Sequence, residues 1–166
     1  MSTDPQTRVT TQVHEIYIKA TAQAIWEAIT TPEWTARYGY RGPMNYELRP
    51  GGKFEAHATA EMRTMGLPQV IVDGEVIEDA PPRRLVQTYR FLFSPENVAE
   101  GFTRVTWEIE PTQSGFTRLT VIHELEGAPL MAKATDSQFN ERGAGGWTWI
   151  LSDLKSLLET GSTLSG

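Results

Sequence analysis

Apolar and polar residues alternate along residues 14–20, His-Glu-Ile-Tyr-Ile-Lys-Ala, a β-rich run that predicts a first strand. The period then changes. Thr21 is placed to cap a short helix that carries Ile25, Trp26 and Ile29 on one face. Thr31 followed by Pro32 opens a second short helix, with Trp34 and Tyr38 four apart on it. From Asn45 onward the pattern returns to strands: 45–48 and 53–59 on either side of Arg49-Pro50-Gly51-Gly52, then 69–79, 85–93, 104–110 and 116–124. Connections this short favour sequential antiparallel pairing, because a parallel crossover needs about a dozen residues. Val105, Trp107 and Ile109 share one face of their strand while Thr106, Glu108 and Glu110 share the other. That alternation predicts a sheet packed on one side and wet on the other.

Residues 136–160 read as one long helix with an uneven face. Its second half carries Trp147, Ile150, Leu151, Leu154, Leu157 and Leu158 as a single apolar stripe. Its first half holds Gly143, Gly145 and Gly146, each costing roughly 0.5–1 kcal/mol relative to Ala inside a helix. A helix anchored at one end and stripped of side chains at the other would leave room beneath it. The pattern therefore predicts a cavity between helix and sheet, and with it the binding of a small molecule. The fold class that follows is α+β: a curved antiparallel sheet of about seven strands around a long carboxy-terminal helix, with two short helices after strand 1. A single domain is expected over residues 12–160, with 1–11 and 161–166 as flexible tails.

Composition narrows the partners. The 166 residues suit one domain with a real core, and 39% hydrophobic with 22% charged residues is ordinary for a globular protein. Zero cysteines exclude disulfides, thiolate catalysis and cysteine metal sites. The net charge is −6, and no basic cluster exceeds the pair Arg83–Arg84, so neither nucleic acid nor an anionic membrane is an expected partner. No apolar run approaches the roughly 20 residues of a membrane span, so no membrane insertion is expected. The polar amino terminus lacks the apolar core of a signal peptide, which points to the cytoplasm.

Several blocks carry a family resemblance. Ile18-Lys-Ala-Thr-Ala-Gln-Ala-Ile-Trp26 followed by Ala28-Ile-Thr-Thr-Pro-Glu33 resembles the opening strand and helices of the SRPBCC (START/Bet v 1-like) superfamily. Within it the chain is most similar to the group named after the activator of the Hsp90 ATPase. Leu48-Arg-Pro-Gly-Gly-Lys-Phe54, Gly74-Glu-Val-Ile-Glu78 with Pro81-Pro-Arg-Arg-Leu-Val86, Val105-Thr-Trp-Glu-Ile109, Thr117-Arg-Leu-Thr-Val-Ile-His123 and Gly146-Trp147 continue the likeness. It runs from about residue 14 to 159. The resemblance implies a helix-grip (Bet v 1-like) fold with a hydrophobic pocket between the sheet and the last helix. It implies no single activity, because members carry lipids or hormones, cyclise polyketides, scaffold oxygenases or sequester toxic products. In the eukaryotic co-chaperone a separate amino-terminal domain engages the chaperone. This chain begins almost at its first strand, so Hsp90 is not an expected partner.

The candidate ligand-binding set is Trp34, Tyr38, Tyr40, Phe54, Tyr89, Phe91, Trp107, His123, Phe139, Gly143, Gly146 and Trp147. Core packing is the competing explanation, strongest for Phe54 and Trp107, whereas Trp34, Tyr38 and Tyr40 are placed as a pocket mouth. Of the histidines, His14 is expected at the surface. His57 lies opposite Phe54 and is solvated unless a bulge reverses it. His123 shares a face with Leu119 and Val121 and points inward, as either a general acid–base or a buried ring satisfied by a backbone carbonyl. Glu141 and Arg142 sit where they would gate an entrance or simply face solvent. No histidine pair has metal-ligand spacing, and neither a Gly-x-Ser-x-Gly elbow nor a phosphate loop is present, so no metal and no cofactor is expected. The leading reading is binding of a small hydrophobic or aromatic ligand. The alternative is an enzyme, of cyclase, dehydratase or hydrolase type, using His123 or His57 on a hydrophobic substrate in the same cavity. A third is an interaction module, co-chaperone-like or a homodimer, which requires a large exposed apolar patch.

Overall fold

Local chemistry starts each early element where the sequence marks it. In the computed structural model, which describes residues 10–141 and 143–166, the Thr21 hydroxyl accepts the Ala24 amide at 3.1 Å. That cap opens helix α1 (Ala22–Thr30), which buries Ile25, Trp26, Ala28 and Ile29. Pro32 begins the short α2 (Pro32–Thr35). Seven strands, β1 (Thr11–Ile18), β2 (Met44–Tyr46), β3 (Lys53–His57), β4 (Val70–Ala80), β5 (Arg84–Phe91), β6 (Thr103–Pro111) and β7 (Thr117–Glu124), form one antiparallel sheet in the order β1-β7-β6-β5-β4-β3-β2. Sequential hairpins account for every neighbour except β1, which closes the far edge beside β7 with Gln12 opposite His123.

The two faces of the sheet differ as the alternation requires. Outside, charged side chains pair between strands: Arg84 with Glu78 and Glu108, Arg118 with Glu110 and Glu15, and Arg90 with Asp73. Such exposed pairs add little stability each, but they keep the face wet. Inside, Phe54, Val76, Leu85, Val105, Ile109, Leu119 and Val121 are fully buried. The last helix, α6 (Gly146–Thr160), lays Trp147, Leu151, Leu154 and Leu157 onto them. At 1.5 Å per residue its 15 residues span about 22 Å.

That helix begins ten residues later than the pattern predicts. Two short strands precede it instead, β8 (Gln138–Asn140) paired antiparallel with β9 (Gly143–Gly145). The glycine cluster is thus a turn signal rather than a thin stretch of helix. Gly146 stands at φ +80, and a Cβ on it would lie 2.1 Å from the Asp136 carbonyl oxygen, so only glycine fits this join.

Three short helices have no counterpart in the expected pattern: α3 (Ala60–Thr64), α4 (Pro95–Glu100) and α5 (Pro129–Thr135). None is long enough to show a helical period. Side chains cap the first two, Thr59 on the Met62 amide and Ser94 on the Asn97 amide. The third takes its cap from α4, since both Glu100 oxygens accept amides of α5, from Leu130 at 2.8 Å and Met131 at 2.9 Å. Beyond α6 the chain turns back at Gly161, and the Leu164 amide donates to Asp153 Oδ1 at 2.8 Å. Among the described residues no helix is long and apolar enough to cross a membrane.

Candidate ligand-binding cavity

A cavity of about 260 Å³ opens between α6 and the half of the sheet formed by β2 to β5. It sits just below the roughly 300–1,000 Å³ of drug-sized pockets. Its walls come from both ends of the chain and the strands between. Tyr38 and residues 39–42 form the loop side, Met44 and Tyr46 come from β2, Ala56 from β3, and Tyr89 and Phe91 from β5. Met62 and Leu67 close one rim, Ala134 and Thr135 of α5 another, and Gly146, Trp147 and Ile150 the roof. Among the described residues, no carboxylate and no imidazole lines it.

Nearly every polar wall group is committed within the protein. The Tyr38 hydroxyl donates to the Ala28 carbonyl at 2.8 Å. Tyr46 and the Trp107 indole both donate to Gln87 Oε1, at 2.9 and 3.0 Å. Because an indole only donates, the oxygen of that amide must face Trp107, which leaves the fully buried Gln87 Nε2 without a partner. Thr35 accepts the Met44 amide at 2.8 Å, and Thr135 donates to the Met131 carbonyl at 2.8 Å. The Tyr40 oxygen accepts the Gly146 amide at 2.9 Å, at the start of α6. The Tyr89 hydroxyl has no hydrogen-bond partner among the described residues. Burial, with a smaller push from Tyr40, raises its pKa and keeps it protonated.

His123 lies outside the cavity wall with both ring nitrogens engaged. The Trp147 indole donates to its Nδ1 at 3.0 Å, so the ring proton must sit on Nε2, 2.7 Å from Thr103 Oγ1. Thr103 in turn donates to the Tyr89 carbonyl at 2.8 Å. Burial first, and His14 second, hold the His123 pKa down to about 3. A ring so engaged, behind Trp147 rather than at the wall, has no free nitrogen to act as a general base. Its partners are Trp and Thr side chains, not the backbone carbonyl expected. His57 stays outside despite a register shift between Ala56 and His57, with its Nε2 3.5 Å from Glu55. His14 is half-buried on the inner face rather than at the surface, 3.3 Å from the Gln12 amide oxygen.

Of the residues expected at the site, Tyr38, Tyr40, Tyr89, Phe91, Trp107, Gly146 and Trp147 come together around the cavity. Phe54 lies behind the wall, stacked between Tyr46 at 4.6 Å and Tyr89 at 5.9 Å. Trp34 packs on the core edge under the Arg37 guanidinium. Phe139 is 88% exposed on β8, and Gly143 in β9 touches nothing that a side chain would meet. Glu141 is exposed, and Arg142 lies outside the described residues. The wall residue most clearly missed is Tyr46. Its register opposite Phe54 across the β2–β3 hairpin was the available signal.

The backbone resembles solved structures at low identity. It superposes on protein MLL2253 from Mesorhizobium loti with TM-score 0.65 and 20% identity, over 89% of this chain and 96% of that one. The Aha1 dimer from Colwellia psychrerythraea gives 0.63 and 18%, over 92% and 98%. DynU16, of the dynemicin biosynthetic locus, gives 0.62 and 21% over 94% of this chain, which spans about half (49%) of DynU16. No curated protein matched in sequence. A family model, Activator of Hsp90 ATPase homolog 1-like protein, matches residues 19–159. With most of its length matched and its helix gripped by a seven-stranded sheet, the chain belongs to the Activator of Hsp90 ATPase homolog 1-like family.

Proposed function

We propose that this is a cytoplasmic protein that binds a small hydrophobic or aromatic molecule in the cavity beneath α6. The observation that carries the reading is a wall of aromatic and aliphatic side chains whose polar groups are almost all satisfied internally. Such a hollow gains free energy by exchanging water for apolar surface, at about 25 cal/mol per Å² buried. The likeness to a protein of the dynemicin biosynthetic locus supports a small-molecule ligand. The enzymatic alternative would need an acid or base at the wall. Among the described residues the wall offers only phenols and Arg41, whose guanidinium is turned to Thr163 and Ser165.

Equilibrium dialysis with naphthalene tests the reading. Saturable binding near one equivalent is expected. Ala56→Leu, which adds three carbons at the wall, should weaken it about tenfold or more while the fold, checked by circular dichroism, is retained. Binding indifferent to Ala56→Leu in a folded variant would place the site elsewhere. Native mass spectrometry of protein purified from its own host would then identify any natural passenger.

A further inference from the structure

Resting on that reading, the pattern of committed and free hydroxyls says more about the ligand than its apolarity. Four tyrosines line the cavity. Tyr38 and Tyr46 spend their protons on Ala28 and Gln87. Tyr40 uses its oxygen to receive the Gly146 amide, and its proton has no acceptor among the described residues. Tyr89 uses neither oxygen nor proton among the described residues, although the residue is 7% exposed. Its oxygen opens onto the cavity rather than into packed protein, so a ligand that displaces water there forfeits free energy unless it replaces the hydrogen bond. The two free phenols are also near enough that Tyr40 opposes ionisation of Tyr89.

We propose that the Tyr89 hydroxyl, assisted by that of Tyr40, donates to a neutral carbonyl oxygen on a planar apolar ligand, so that the cavity selects aryl ketones over hydrocarbons and over carboxylates. Tyr89 is the buried donor and Tyr40, 49% exposed, a second one at the cavity border, and a carbonyl oxygen with two lone pairs can accept from both. A carboxylate would leave water for an apolar site that offers no unpaired cation among the described residues. Arg41, the only cationic residue at the wall among the described residues, already donates to Thr163 and Ser165. Trp107 and Trp147, edge to face at 5.4 Å between ring centres, supply aromatic surface for a flat ring system.

Equilibrium dialysis of naphthalene, 2-acetonaphthone and 2-naphthoate against wild type and Tyr89→Phe separates the possibilities. The substitution removes one oxygen that no internal partner uses, so the fold is expected to survive it, with a melting curve as the check. The wild type should prefer 2-acetonaphthone to naphthalene. Tyr89→Phe should cut that preference about five- to tenfold, the size of one neutral hydrogen bond. A preference untouched by Tyr89→Phe, or tighter binding of 2-naphthoate than of the ketone, would overturn the proposal while leaving a hydrophobic site intact. Failure of all three probes to bind the wild type would instead sink the underlying ligand-binding reading, and this proposal with it.

Discussion

His123 shows how much one side chain can decide. Its tautomer is dictated by a donor-only indole, and every hydrogen-bonding position on the ring is filled. Its pKa in the folded protein, about 3, lies below the ordinary 6.5. The unfolded chain therefore takes up the proton first as pH falls. Stability is full above about pH 6.5 and drains at up to about 1.4 kcal/mol per pH unit on the way down toward pH 3. Urea midpoints measured between about pH 7.5 and 4.5 should show this slope. His123→Gln should flatten it while lowering stability at the upper pH, and an equal slope in the variant would contradict the assignment. Gly146 decides a backbone in the same way. Gly146→Ala should cost about 2 kcal/mol or more, because a Cβ collides with the Asp136 carbonyl at φ +80. Gly143→Ala meets open space and should stay within about 0.5 kcal/mol in thermal melts. Neither contrast was visible in the sequence, where the two glycines look alike.

Elements were legible in proportion to how many periods they show. Strands such as β6, alternating from Val105 to Ile109, and the α6 stripe from Trp147 to Leu158 declared themselves, as did α1 through its Thr21 cap. The short α3, α4 and α5 did not, because five to seven residues give one turn or two and leave only cap chemistry to read. The β8–β9 pair was taken for helix because glycine spacing alone does not distinguish a weakened helix from a turn. What settles it is the long-range contact of Gly146 with the end of α5. Glu100 illustrates a cap that no local pattern can reveal, coming from 30 residues away. Glu100→Ala should cost about 1 kcal/mol and speed amide hydrogen exchange at Leu130 and Met131 ahead of the rest of the molecule. Unaltered exchange at those two amides would mean that α5 holds its place without the cap.

At the scale of the whole molecule, the cavity is made by elements far apart in sequence, so its wall was not legible, and the thinned helix expected to open it is a strand pair. Tyr38, Tyr40 and Tyr89 lie at the wall, but Trp34, Phe54 and Phe139, expected on the same aromatic grounds, do not. Tyr46, Thr135 and Ala134 are placed there only by sheet curvature and by a helix that showed no period. Asp153 ties these distant parts together. Fully buried on α6, it accepts the Gly39 amide at 2.8 Å from the cavity loop and the Leu164 amide at 2.8 Å from the chain end. Asp153→Ala strands both donors and should cost about 2–3 kcal/mol in urea melts. It should also hasten naphthalene release in stopped-flow, and an unchanged release rate would show that loop 39–42 is held by its other contacts. The same knot has a practical side. Arg41 reaches Thr163 and Ser165, so the last residues of the chain are splinted to the loop that borders the cavity. An affinity handle or fluorescent fusion joined to Gly166 would hang beside that loop at the cavity border, and affinities measured on such a fusion would report the handle as well as the pocket.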